Sequence, residues 1–165
     1  MASRAAPLAP SATIPRMVSE KRVVRRARAE DGAEVWPLVR GFALSYEPER
    51  RVFERSFTDL LSRPDTLVAV ADQGGSIIGY LLASWHGTFF ANGPVAWVEE
   101  LMVAQPARGS GVGRALVAEA ERWARSVPCA YIAVASRRAG TFYEALAYEP
   151  SATYFRKTFV PPKAT

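Results

Sequence analysis

Seven residues between a predicted strand and a predicted helix decide the fold: Arg108-Gly109-Ser110-Gly111-Val112-Gly113-Arg114. The apolar run 95–103 before them is typical of a strand. After them, apolar residues recur at helical spacing: Val112, Leu116, Val117, Ala120, Trp123, Ala124 and Val127. Backbone N–H groups at a helix N-terminus converge on an anion, and glycine lets the main chain approach it closely. The stretch therefore indicates a phosphate cradle rather than a plain turn.

Two better-known phosphate-binding loops can be compared with the same glycines. A P-loop ends in Gly-Lys-Ser or Gly-Lys-Thr, whereas this chain reads Gly113-Arg114-Ala115. The dinucleotide-binding fingerprint needs glycines at positions 109, 111 and 114, and position 114 is Arg. The sequence therefore excludes both of these loops.

Outward from the glycine turn, strand-like and helical patterns follow the order β-α-α-β-β-β-α-β-α-β. The predicted strands are residues 23–27, 66–71, 76–85, 95–103, 130–135 and 152–160. The predicted helices are residues 30–46, 49–61, the segment after Ser110, and 138–146. Pro37 is expected to kink the first helix or to mark a second start. The pattern predicts an α/β fold, with a mixed sheet that has helices on both faces.

Composition and charge limit the classes of function. The 165 residues are 49% hydrophobic and suit one domain, with residues 1–20 as a flexible extension and residues 21–165 as the folded part. The net charge is +5, but residues 1–28 carry +6, so the rest is nearly neutral and no nucleic-acid or membrane partner is expected. No apolar run of about 18 residues and no secretory signal is recognisable, which favours a cytoplasmic protein.

The chain contains one cysteine, Cys129, and one histidine, His86. This composition offers no ligand cluster for zinc and no internal disulfide. No motif around either residue would activate a nucleophile. We therefore expect neither a metal site nor covalent catalysis.

The pattern Arg108-x-x-Gly111-x-Gly113 resembles the acyl-CoA signature of the GNAT superfamily of N-acetyltransferases: Gln or Arg, two residues, Gly, one residue, then Gly or Ala. The resemblance covers about residues 22–160. Residues 97–103 look like the family's fourth strand, and residues 141–148 look like its late helix and the strand that follows. The arrangement is most similar to small-molecule acetyltransferases of the spermidine/spermine type. It implies a mostly antiparallel sheet splayed between strands 4 and 5, and acetyl-CoA as cosubstrate.

The same resemblance implies which residues hold acetyl-CoA. Pantetheine would thread between the splayed strands, and the glycine turn would hold the pyrophosphate. The implied residues are Leu101, Met102, Val103, Arg108, Gly109, Ser110, Gly111, Val112, Gly113, Arg114 and Ser136. Ser136 stands where the family often has an Asn that binds pantetheine.

Transfer from a thioester to an amine requires a base, an oxyanion donor and an acid. Glu99 and Glu100 can both face the cleft only if a β-bulge intervenes. Glu99 matches the base that the resemblance implies, acting through water; alternatively both carboxylates form a solvated patch or bind a cationic substrate. The resemblance also implies the N–H of Val103 as oxyanion donor and Tyr143 as the acid for the leaving thiolate. Core packing is the alternative role of Tyr143, and Tyr148 is a second candidate donor.

Aromatic and acidic residues predict an acceptor cleft for a cationic amine: Tyr46, Glu47, Trp85, Phe89, Phe90 and Trp97. The function indicated is transfer of an acetyl group from acetyl-CoA directly to the primary amine of a small molecule. The alternatives are a protein or peptide N-acetyltransferase and a CoA-binding sensor without catalysis. Related enzymes often pair through their late strands, so the apolar residues Tyr154, Phe155 and Phe159 also predict a homodimer.

Overall fold

Five strands form one sheet in chain order in a computed structural model that describes residues 21–42 and 46–159. The strands are β1 Arg22–Arg26, β2 Thr66–Gln73, β3 Ser76–Gly87, β4 Pro94–Val103 and β5 Ile132–Val134. β1 to β4 are antiparallel neighbours, and β5 runs parallel to β4. The predicted mixed, mostly antiparallel sheet is therefore confirmed.

Helices cover both faces of this sheet. They are α1 Gly32–Phe42, α2 Arg50–Ser62, α3 Val112–Ser126 and α4 Gly140–Glu144, with 3-10 turns at Ala29–Asp31 and Gln105–Ala107. α1 and α2 pack with Val68 and Val70 of β2, whereas α3 and α4 pack with Leu67 and Ala69. Alternate residues of a strand face opposite sides, so β2 is buried by helices on both faces. None of these helices, in the part of the chain that the structure describes, is long and apolar enough to cross a membrane.

The predicted closing strand at 152–160 is wrong over residues 152–159, none of which lies in a strand. Alternating side chains indicate a strand only where a sheet edge is available for pairing. The last strand of this sheet, β5, has three residues and offers a short edge. Residue 160 and the predicted extension 1–20 lie outside the described residues, and the domain boundary stays a prediction.

The first helix is also shorter than predicted. α1 ends at Phe42, and Tyr46 lies in a bend. Pro37 lies inside α1 and does not mark a second start. A proline within a helix leaves one carbonyl without its usual donor, so the sequence alone suggested a break that the packing of α1 on the sheet overrides.

Candidate active site

Near its C-terminal end, β4 has one edge that no described strand covers. β5 pairs with it only over residues 96–98, whereas β4 continues to Val103. On the other edge, the N–H of Ala104 donates to the carbonyl oxygen of Ile78 in β3 at 2.9 Å. Backbone groups alternate along a strand, so the N–H groups of Leu101 and Val103 point to the open edge. β4 and β5 thus splay apart, and an extended ligand can pair with the exposed backbone.

The glycine turn, residues 108–114, connects β4 to α3. Gly109 and Gly111 have φ angles of 74° and 86°, a left-handed backbone that favours glycine. Gly111 is the N-cap of α3, and the first helical bond joins the N–H of Ala115 to its carbonyl oxygen at 3.0 Å. The N–H groups of residues 112–114 therefore have no acceptor within the helix and carry its positive dipole end. This geometry fits a pyrophosphate.

Gly113 joins the turn to two other parts of the site. A Cβ built on it would lie 3.2 Å from Cζ of Phe142 in α4 and 3.8 Å from Cγ2 of Val103 in β4. A side chain at this position would therefore crowd the contact between α3 and α4. The same distances show that the glycine turn lies directly beside the open edge of β4.

Three other residues implied to hold the cosubstrate have local partners. Arg108 Nε donates to the carbonyl oxygen of Val103 at 3.1 Å. Met102 directs its backbone groups toward β3, by the alternation described above, and its sulfur lies 3.8 Å from a guanidinium nitrogen of Arg108. Ser136 Oγ accepts the N–H of Ala139 at 3.0 Å and braces the turn before α4. Ligand contacts by Met102 are thus limited to its side chain.

A β-bulge in β4 brings both predicted carboxylates to the same face. The pairing register of β3 and β4 shifts opposite Glu99, which is the extra residue. Ser84 Oγ donates to Glu99 Oε1 at 2.8 Å, and the hydroxyl of Tyr80 donates to Glu100 Oε2 at 2.5 Å. Ser84 and Tyr80 are four positions apart on β3 and so share a side of the sheet. Without such a bulge, neighbouring strand residues point to opposite faces, and only one of the two carboxylates could face the cleft.

An apolar cavity of about 220 Å³ lies between this face of the sheet and the helices α1 and α2. Val39 and Phe53 are among its helical lining residues, and Tyr80, Leu82 and Glu100 line it from the sheet. Burial raises the pKa of the Tyr80 hydroxyl, and the negative charge of Glu100 raises it further. The described lining contains no Lys, Arg or His.

The residues predicted to form the acceptor cleft do not line this cavity. Phe89 and Phe90 are fully or largely exposed on the loop between β3 and β4. Trp85 packs with the core cluster of α3, on the other side of the sheet. Alternation along β3 directs Trp85 to the α3 side, and Phe89 and Phe90 lie on the loop, so proximity in sequence did not bring these three residues to the cavity.

Tyr143 and Tyr148 lie in the core cluster that includes α3. Tyr143 is 8% exposed, and its ring contacts those of Phe142 and Tyr148 at centroid distances of 4.9 and 5.6 Å. Burial raises the pKa of Tyr143, and burial together with the charge of Glu121 raises that of Tyr148 to about 12. Leu101 belongs to the same cluster, so both phenols lie on the α3 side of the open edge.

The family model described as Acetyltransferase (GNAT) family matches residues 33–148, which include β4, the glycine turn and α4. The chain belongs to the GNAT acetyltransferase family. None of the curated proteins matches its sequence. The family match confirms the resemblance that the glycine signature carried.

Solved structures share the fold of this GNAT acetyltransferase. Glucosamine-6-phosphate N-acetyltransferase from Arabidopsis thaliana has a TM-score of 0.77 at 19% identity and covers 86% of this chain and 100% of its own. An aminoglycoside N-acetyltransferase in complex with CoA has a TM-score of 0.72 at 18% identity, covering 90% and 100%. Ribosomal-protein-alanine N-acetyltransferase from Brucella melitensis biovar Abortus 2308 has a TM-score of 0.70 at 17% identity, covering 85% and 100%.

Sequence reasoning missed two residues of this GNAT site. Tyr80 donates to Glu100, and Phe142 fills the space beside Gly113. Tyr80 could be found only once the register of β3 and β4 was known, whereas Phe142 stood next to the predicted acid without an assigned contact. Within residues 21–42 and 46–159, no group of three or more His, Cys, Asp or Glu side chains could hold a metal ion.

Proposed function

We propose that this GNAT acetyltransferase transfers the acetyl group of acetyl-CoA to the primary amine of a small cationic molecule. The observation that carries the proposal is the junction of three features: the open edge of β4, the glycine turn beside it, and two carboxylates on a bulge of the same strand. The solved relatives named for glucosamine 6-phosphate and aminoglycosides support a small-molecule acceptor.

The residues of this chain fit acetyl-CoA by their backbone geometry. The N–H groups at the start of α3 would bind the pyrophosphate, and the exposed Arg114 adds charge beside it. The open edge of β4 would pair with the amide groups of pantetheine through the backbone of Leu101 and through the carbonyl oxygen of Val103, which has a second lone pair beside the one that accepts from Arg108. When bound, acetyl-CoA supplies an activated acyl carbon at this edge.

Different side chains then carry out the separate proton transfers. Glu100 holds the ammonium form of the acceptor, and Glu99 accepts one of its protons through water, which makes the nitrogen nucleophilic. As the carbon–nitrogen bond forms and the carbon–sulfur bond breaks, the N–H of Val103 donates to the acetyl oxygen. Tyr143 protonates the departing sulfur, and a second proton from the nitrogen restores the phenol. The products are an amide and a thiol.

The shape of the acceptor side favours a small molecule over a peptide. The cavity is bounded by α1, α2 and three strands, whereas an extended peptide would need an open groove. The carboxylates at its sheet end favour a cationic amine.

The decisive experiment is the release of CoA thiol, measured with acetyl-CoA and a panel of polyamines, amino sugars, arylalkyl amines, amino acids and peptides. We expect turnover with small primary amines and none with peptides. Glu99→Gln should lower kcat by about 10²-fold or more, with partial recovery at high pH, where more amine is neutral. Glu100→Gln should mainly raise KM for the acceptor.

The matched control is Glu30→Gln, which removes an exposed carboxylate of the 3-10 turn before α1. It should leave kcat and KM at wild-type values. Acetyl-CoA binding without turnover toward any amine would contradict the proposal and indicate a CoA-binding sensor. Turnover with peptides alone would identify a peptide acetyltransferase.

A further inference from the structure

The cavity between α1, α2 and the sheet is partly open to solvent, and the exposed Val52 lies among its lining residues. A ligand can therefore enter it without unfolding of the surrounding helices. An apolar cavity of roughly 150 Å³ can hold a benzene ring. The cavity here measures about 220 Å³ and is lined mostly by Val, Leu and Phe side chains. It therefore has room for one aromatic ring or a branched alkyl group with a short linker.

One end of this cavity is negatively charged. Glu100 lies at the sheet end, and its carboxylate accepts a hydrogen bond of 2.5 Å from Tyr80. The described lining provides no basic side chain to neutralise it. A carboxylate next to an apolar wall is costly to desolvate without a positive partner. A ligand that combines an ammonium group with an apolar arm satisfies both ends.

The position of Glu100 aligns such a ligand with the proposed reaction. Glu100 immediately precedes Leu101, whose N–H faces the open edge of β4. An amine held by Glu100 therefore lies at the strand that borders the acyl donor, and its apolar arm extends away between α1 and α2. Most of the cavity wall is apolar, although Glu49 and Ser56 also line it. Polyamines and amino sugars would therefore place several charged or hydroxyl groups against side chains such as Val39, Phe53 and Leu82, which cannot form hydrogen bonds with them.

We propose that the acceptor is a primary amine on a compact apolar arm, such as a phenyl or branched alkyl group, with the arm in the α1–α2 cavity and the ammonium on Glu100. This inference rests on the proposed function and narrows its substrate class. It makes the cavity lining, and not the exposed aromatic residues of the β3–β4 loop, the determinant of specificity.

The first test compares kcat/KM for phenethylamine and isoamylamine with that for spermidine and glucosamine. We expect the two apolar amines to exceed the two polar ones by about tenfold or more, as for a hydrophobic pocket that rejects polar groups. Higher efficiency with spermidine or glucosamine would overturn the inference while leaving the proposed acetyl transfer intact.

The second test fills the cavity. Val52→Phe, at the mouth, and Val39→Phe, inside, should each lower kcat/KM for phenethylamine about tenfold by raising KM. Val23→Phe is the matched control. Val23 on β1 is 43% exposed, close to the 45% of Val52, but it does not line the cavity. If Val39→Phe does not fold, the kcat/KM of Val52→Phe alone tests the inference. An unchanged kcat/KM in a folded Val52→Phe variant would overturn the inference.

A binding measurement separates this inference from the proposed function. Phenethylamine should bind the wild-type protein in calorimetry and bind Val52→Phe about tenfold more weakly, whether or not acetyl transfer occurs. Binding without turnover of any amine would support the cavity assignment and contradict the proposed function. The absence of phenethylamine binding to the wild-type protein would overturn the inference.

Discussion

At the scale of single residues, the surroundings of Tyr143 are compatible with two roles, packing in the core and protonation of the leaving thiolate. Its ring packs edge-on against Phe142 and Tyr148 in the core, and its burial raises the pKa of the hydroxyl. The phenol is protonated throughout the neutral range, as a proton donor must be, while burial makes it a weaker acid than a free phenol. Core packing alone would require only the ring.

Tyr143→Phe separates these roles. If the hydroxyl protonates the leaving thiolate, kcat should fall by about 10²- to 10⁴-fold with little change in the affinity for CoA. The measurement is steady-state kinetics with an accepted amine, paired with CoA binding by calorimetry. Near-wild-type turnover would remove Tyr143 from the chemistry, and a loss confined to Tyr148→Phe would identify Tyr148, whose pKa is about 12, as the donor.

At the scale of elements, α3 and α4 are held together at Gly113. A side chain there meets Phe142, whereas one at Gly111 meets no neighbour and is disfavoured by its backbone angle alone. The two glycines therefore serve different purposes within one signature. Gly111 supplies the left-handed backbone of the turn, and Gly113 permits helix packing.

Gly113→Leu should destabilise the protein by about 1–3 kcal/mol, because an inserted side chain overpacks the contact with Phe142. Phe142→Ala in the same chain opens space, so the double variant should lose less than the sum of the two single losses. Urea unfolding of the four proteins gives the coupling energy. Gly111→Ala is the comparison, and we expect it to weaken CoA binding without coupling to Phe142. Additive losses at 113 and 142 would contradict the packing role.

Ionic hydrogen bonds from one arginine join β1, the first 3-10 turn and β2. Arg25 of β1 donates to Asp31 in the first 3-10 turn at 2.7 and 2.9 Å, and to Asp72 of β2 at 2.9 Å. The hydrogen bond from Arg25 is the main reason that the pKa of the buried Asp31 is lowered. A carboxylate whose pKa is lower in the folded state stabilises the fold above its unfolded pKa, near 3.9, and loses that contribution as the pH falls through the folded pKa.

Asp31→Asn should therefore lower the free energy of unfolding by about 2 kcal/mol at pH 7, the range for hydrogen bonds to charged groups. The difference between the variant and the wild type should shrink as the pH falls below about 4, the pKa of a free Asp, because the wild-type carboxylate becomes protonated. Urea unfolding at several pH values measures this. The neighbouring Glu30→Gln, on an exposed side chain, serves as control. A pH-independent difference would show that the charge of Asp31 has no part in the effect.

At the scale of the whole molecule, residues 152–159 expose a set of large apolar side chains. Tyr154, Phe155 and Phe159 are 62%, 87% and 86% exposed, although their segment follows directly on the folded core. Exposed apolar clusters of this kind often mark a protein–protein contact. We therefore propose that this segment pairs two copies of the chain in a symmetric dimer.

Light scattering should then give the mass of a dimer, and replacing Phe155 and Phe159 together by Ser should give a monomer. The matched control replaces Phe89 and Phe90 by Ser, since these rings are also fully or largely exposed but lie on the β3–β4 loop. That control should remain dimeric. A monomeric wild-type protein at all concentrations would contradict the proposed dimer.

Features that depend on neighbouring residues in the chain could be predicted from the sequence alone. The glycine turn and α3 were predictable because left-handed backbone and helical periodicity are local properties. The strands β2 to β4 were predictable for the same reason, and the acyl-CoA signature led to the family that the comparison confirmed. The predicted strand β4 ends at Val103, shortly before the glycine turn, so the sequence also placed these two parts of the site close together.

Which side chains meet depends on the tertiary structure. The bulge at Glu99 depends on the pairing register with β3, so the sequence could not say that Glu100 contacts Tyr80 across two strands. The α1–α2 cavity depends on how two helices pack on that face, and its lining residues are far apart in the chain. Residues 152–159 alternate as a strand does, yet they form none here, because strand formation needs an edge to pair with and not a pattern alone.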